Sequence, residues 1–130
     1  MIEDLALEPI GQEFDLMAIR AYLGSLPTAV VDPINPAQYL MSSNPDTLRE
    51  GIAKRRQNPE RVPYTLIVVF PSPSCILIGM RSTDTAPARA FVEWLQRHQT
   101  IRIRDQEFND FTKEATDNLD FVFGPEESTR

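Results

Sequence analysis

This chain holds little of what most catalytic and metal-binding proteins use. Among 130 residues there are one cysteine, one histidine, one tryptophan and five glycines. A lone Cys75 can close no internal disulfide, and its default reading is a small buried hydrophobe. One cysteine and one histidine cannot build a zinc cage. The five scattered glycines form neither G-x-G-x-x-G nor G-x-x-x-x-G-K-[ST], which argues against nucleotide binding by those loops. No G-x-S-x-G elbow occurs. No apolar run approaches the roughly 18–20 residues of a membrane-spanning helix. The opening Met1-Ile2-Glu3-Asp4 is acidic where a secretory signal needs a basic region. A reducing, cytoplasmic setting is therefore expected.

What is present is an ordinary globular composition, 42% hydrophobic and 25% charged. At this length it predicts one domain that folds without staples. Charge is unevenly placed. Residues 1–104 carry eleven acidic and eleven basic side chains. Residues 105–130 hold Asp105, Glu107, Asp110, Glu114, Asp117, Asp120, Glu126 and Glu127 against Lys113 and Arg130, which is the whole net charge of −6. A one-signed segment on a neutral body gives a directional field that steers a basic partner and repels nucleic acid and anionic membrane.

Eleven prolines predict short, sharply bounded elements. Residues 1–13 read as an acidic lead-in, 14–124 as the domain and 125–130 as a frayed tail. Asp15 is placed to cap a helix from Leu16 to about Leu23, with Phe14 and Ile19 as a hydrophobic staple. Thr28–Val31 and Tyr39–Met41 are short strand candidates. Asn44-Pro45 reads as a cap followed by proline at the first helical position, opening a helix that ends near Gln57. Tyr64–Phe70 and Cys75–Met80, joined by Pro71-Ser72-Pro73-Ser74, read as a hairpin. Both runs are apolar on both sides, so the hairpin must be central or partly covered by a partner. Ala88, Phe91, Val92 and Leu95 form the core stripe of a third helix over Pro87–His98, capped by Asp84 or Thr85. Thr100–Arg104 alternates as a half-buried strand. Asn109–Leu119 suggests a fourth helix, and Phe121–Phe123 a last strand or docking segment. The expected fold is α+β, with an antiparallel or mixed sheet of about four to six strands packed with three or four helices.

Several groupings could carry chemistry. Asp105 to Asn109 has the oxygen spacing that opens a calcium loop, but Asp110 stands where glycine is needed and Thr116 where a bidentate Glu is needed. Cys75 with His98 would need an electropositive, partly exposed thiol. Arg49, Lys54, Arg55, Arg56, Arg61, Arg102 and Arg104 are expected mainly to pair with the acidic C-terminal region of the chain. They lack interleaved aromatics, and the isoelectric point near 4.7 opposes nucleic-acid binding. The reading that follows is a non-catalytic, acidic protein-binding domain. It would act as an immunity-type inhibitor or chaperone-like partner of a basic protein. That is a likeness of size and charge with no motif behind it. The candidate contact residues are Asp105, Glu107, Asp110, Glu114, Asp117 and Asp120, with Trp94 and Phe108 as apolar anchors. No cofactor or metal is expected, and a homodimer is allowed. The alternative is a small enzyme or ligand-binding domain with a pocket near His98, Arg102 and Arg104.

Overall fold

The computed structural model describes residues 4–80 and 84–123. Six strands form one antiparallel sheet: β1 (Asp4–Pro9), β2 (Ala29–Val31), β3 (Tyr39–Met41), β4 (Ile67–Pro71), β5 (Ile76–Gly79) and β6 (Ile101–Asp105). Their spatial order is β2-β3-β4-β5-β1-β6. The helices are α1 (Leu16–Gly24), α2 (Pro45–Gln57), α3 (Ala86–His98) and α4 (Thr112–Asp117), with a closing turn α5 (Asp120–Phe123). The fold is α+β, and the sheet is antiparallel throughout. The suggested C-terminal tail, 125–130, lies outside the described residues.

The β4–β5 hairpin occupies the middle of the sheet, as two-sided apolarity requires. One face carries Leu5, Leu7, Ile67, Val69, Ile76, Ile78, Ile101 and Ile103. Helices α1, α3, α4 and α5 cover it with Ile19, Leu23, Phe91, Leu95, Ala115 and Val122. The opposite face is covered on one side only. There Leu48 of α2 and Leu66 pack on Leu40, with Val30, Ile52, Val62 and Val68 around them. Among the described residues no helix covers the rest of that face, over β5, β1 and β6.

The segment read as an acidic lead-in is corrected: Asp4–Pro9 is an inner strand. Leu5 lies opposite Ile78 and Asp105, and Leu7 opposite Ile76 and Ile103. The sequence Asp4-Leu5-Ala6-Leu7-Glu8 alternates with period two, burying both leucines while Glu8 turns outward. At the other end, the expected fourth helix is shorter and divided. The Asp120 N–H donates to the Asn118 side chain at 2.9 Å, so the chain restarts as the turn α5. Phe121–Phe123 is thus helical, not a strand.

Local capping follows the sequence closely. Asp15 Oδ1 accepts from the Ala18 N–H, and Asn44 Oδ1 accepts from the N–H groups of Asp46 and Thr47. At α3, Thr85 takes the cap position without a side-chain bond. Asp84 turns instead to the start of α2, accepting from Ser43 N–H and Oγ at 2.7 Å each. Gly51 is the contact point of α2. A Cβ there would lie 2.6 Å from Leu66 Cδ1, so glycine lets the helix settle on Leu66.

Arg55 and Asp32 form a buried ion pair. Asp32 is fully enclosed, and its carboxylate accepts from Arg55 Nε at 3.1 Å, Gln38 Nε2 at 2.7 Å and the Ile34 N–H at 2.8 Å. Arg55 also donates to the Pro59 carbonyl at 2.9 Å. This network ties the β2–β3 loop to the last turn of α2. Burial alone would push the Asp32 carboxyl up. The bonds from Arg55, Ile34 and Gln38 outweigh it and hold it below the ordinary carboxylate range.

Candidate functional site

The acidic segment begins at the end of β6. Asp105 is its first residue and is nearly buried. Its carboxylate accepts from the N–H groups of Glu107 and Asn109 at 2.9 Å each and from Asn109 Nδ2 at 3.1 Å. Two main-chain bonds brace the same loop, Asp105 N–H to the Asn109 carbonyl and Phe108 N–H to the Asp105 carbonyl. Burial would raise the Asp105 pKa, but the Asn109 and Glu107 donors lower it further, so the carboxyl stays below its ordinary value. Its oxygens therefore face N–H donors, which explains the calcium-like spacing without an ion.

Beyond the loop, Asp110 accepts from the Thr112 N–H at 2.9 Å and lies 3.7 Å from Arg102 Nε. The Thr112 bonds, helped by Arg102 and Arg104, hold the Asp110 pKa down. The Phe111 N–H donates to the Ile103 carbonyl, and the Ile103 N–H donates to Thr112 Oγ1. The outer edge of β6 is thereby bound to the returning chain.

This bracing presents one residue. Phe108 stands at the tip of the loop, 78% exposed, with φ +66°. The left-handed region is uncommon for non-glycine residues and an outlier for bulky ones. A phenylalanine held there, exposed, on a loop fixed by five hydrogen bonds is a preorganised apolar projection. Glu107 is exposed on one side of it and Asp110 follows two residues later.

The other candidates distribute as follows. Glu114 and Asp117 are exposed on α4, just past the loop. Asp120 pairs with Arg89 Nη1 at 2.7 Å. Trp94 is half-buried, its ring stacked against Tyr22 at 4.3 Å and tilted against His98 at 4.3 Å. His98 Nδ1 donates to the Trp94 carbonyl at 2.7 Å, since a carbonyl only accepts. His98 lies three residues before β6 and Phe108 three residues after it. The five-residue strand β6, roughly 16 Å long, lies between them along the chain.

The alternative pocket does not assemble. His98 belongs to the helical layer on one face of the sheet. Arg102 and Arg104 alternate with the buried Ile101 and Ile103, so they turn to the opposite face. Arg104 pairs there with Glu8 at 3.2 Å. Of the basic residues singled out from the sequence, Arg49 pairs with Asp46 and Arg55 with Asp32, while Arg102 pairs with Asp110 of the acidic segment and Arg104 lies near enough to act on it.

Sequence reasoning missed a groove on the half-open face of the sheet. It measures about 520 Å³. Val68, Phe70, Leu77 and Gly79 form its floor, and Val62, Pro63 and Leu66 its wall. The two-sided apolarity of the hairpin was the signal, but it did not say where α2 would stop covering the sheet.

Comparison with protein-family models, curated proteins and solved structures finds no match to this chain.

Proposed function

We propose that this chain is a non-catalytic protein-binding domain. It docks on a basic surface of another protein through Phe108 and the acids around it. The observation that carries this reading is the exposed Phe108 fixed at positive φ by the Asp105 loop. An aromatic anchor already held in place loses little freedom on binding, and aromatic anchors dominate interface energetics. Glu107, Glu114 and Asp117, exposed and held by no ion pair among the described residues, supply the steering charge. Asp105 works behind them by holding the loop, while Asp110 and Asp120 have cationic partners within the chain.

A domain of this kind serves as an immunity-type inhibitor or a chaperone-like partner. The cytoplasm is the setting proposed for it; no helix among the described residues is long and apolar enough to cross a membrane.

The test uses three baits on source lysate: the parent protein, Phe108→Ala, and the triple variant Glu107→Gln/Glu114→Gln/Asp117→Asn. The reading expects one stoichiometric basic protein on the parent bait, released by salt. Phe108→Ala loses it. The triple variant slows its association severalfold at low salt with the fold intact by circular dichroism. Equal retention on all three baits refutes the assignment.

A further inference from the structure

Glycine in an apolar strand weakens it, having no side chain to pack. Gly79, the last residue of β5, is paired on both sides, with Val68 and with Asp4, and its own contacts supply no reason for glycine. Its φ is not positive, and a Cβ built on it would meet Asp4 Oδ1 at 3.5 Å and Val68 Cβ at 3.9 Å, ordinary contacts. Gly51 differs in this respect, since its neighbour stands too close for any Cβ. What Gly79 does accomplish is depth. It lies in the floor of the groove beside Val68, where a side chain would take up room. Close approach of a ligand to the backbone is one of the reasons a strand carries glycine, alongside bulges and bends.

The rest of the groove fits that use. Leu77, 52% exposed, and Phe70 lie directly opposite one another on neighbouring strands, giving an apolar floor. The volume falls in the range of small-molecule sites, which combine apolar walls with few polar groups. The rim carries Arg61. Its guanidinium lies 5.3 Å from the centre of the Tyr64 ring, which orients it. Among the described residues no carboxylate pairs with it. Glu60, exposed on the same rim, is held by no hydrogen bond or ion pair among them.

We infer that this groove binds a small amphiphilic anion, an apolar body on Phe70, Leu77 and Gly79 with a carboxylate or sulfonate on Arg61. The site lies on the sheet face away from the helical layer and is independent of the Phe108 loop.

The test is fluorescence titration of the full chain with 1-anilinonaphthalene-8-sulfonate. N-phenyl-1-naphthylamine, which lacks the sulfonate, serves as the neutral control. Saturable one-to-one binding of the sulfonate is expected, about tenfold tighter than the neutral dye. Arg61→Gln removes that preference. Leu77→Glu, a change at an exposed position, abolishes sulfonate binding, and Gly79→Ala weakens it severalfold with unchanged circular dichroism. Decanoate competes. The inference is overturned by the absence of a saturable signal, by parental binding in Leu77→Glu, or by preference for the neutral dye. Stronger competition by dodecyltrimethylammonium than by decanoate overturns it equally, since that would place a cation on Glu60.

Discussion

Replacing Arg55 by methionine isolates the buried ion pair. The substitution removes two contacts to Asp32, at 3.1 Å each, and the bond to the Pro59 carbonyl. Asp32 keeps the Ile34 N–H and Gln38 as donors but remains enclosed with no positive partner. Leaving one charge of a buried pair uncompensated costs about 3–5 kcal/mol. For a domain of this size each kcal/mol lowers the melting temperature by roughly 3–5 °C, so a drop of about 10–25 °C is expected. The pH dependence tests the same reasoning. In the parent protein the Asp32 carboxyl sits below its unfolded value, so its contribution is present above the unfolded pKa and is lost as pH falls through the folded one. Without Arg55, burial is left to push the folded pKa up, so this contribution shrinks and the deficit of the variant against the parent narrows as pH falls. Adding Asp32→Asn removes the stranded charge, so the double variant should be more stable than Arg55→Met alone. The assay is urea unfolding at pH 7 and at steps down to pH 3. A methionine variant within about 1 kcal/mol of the parent, with the same pH profile, refutes the argument.

Two further substitutions bear on backbone positions. Gly51→Ala gains about 1 kcal/mol of helix propensity but drives a Cβ into the enclosed Leu66 side chain, an overpacking that costs about 1–3 kcal/mol. Net destabilisation in urea unfolding, relieved in the Leu66→Ala background, is expected; a more stable Gly51→Ala would show that Leu66 moves freely. Phe108→Gly should be more stable than Phe108→Ala by about 1 kcal/mol, because only glycine occupies φ +66° without strain. Equal denaturation midpoints would show that the loop relaxes in the alanine variant.

Much of this fold is written locally. Asp15 and Asn44 cap the helices they precede in the sequence, and Asn44-Pro45 with Pro59 bounds α2 almost to the residue. The apolar stripe of α3 and the hairpin flanking Pro71-Ser72-Pro73-Ser74 are equally plain. What escaped depended on distant partners. Leu5 and Leu7 alternate as a strand should, but flanking Asp4 and Glu8 disguise a segment whose partners come from β5 and β6. Phe121–Phe123 is too short for periodicity to decide between strand and helix. At the candidate site the acids are visible in the sequence, but their division of labour is not. Asp105 turns inward to N–H donors, Asp120 meets Arg89 from another helix, and Glu107 stays in solvent. Nothing in the order Glu107-Phe108-Asn109 announces a left-handed phenylalanine, since glycine is the usual occupant of that region.

The inner position of β1 also fixes an order of events during synthesis. This strand leaves the ribosome before either neighbour, yet Leu5 must wait for Ile78 and then for Asp105, at the far end of the chain. Until β1 is inserted, β5 has an open edge and β6 has no strand beside it. Such long-range pairing folds slowly and leaves strand edges exposed to other nascent chains. The sheet cannot close progressively from its beginning; its last joint is made by its first strand.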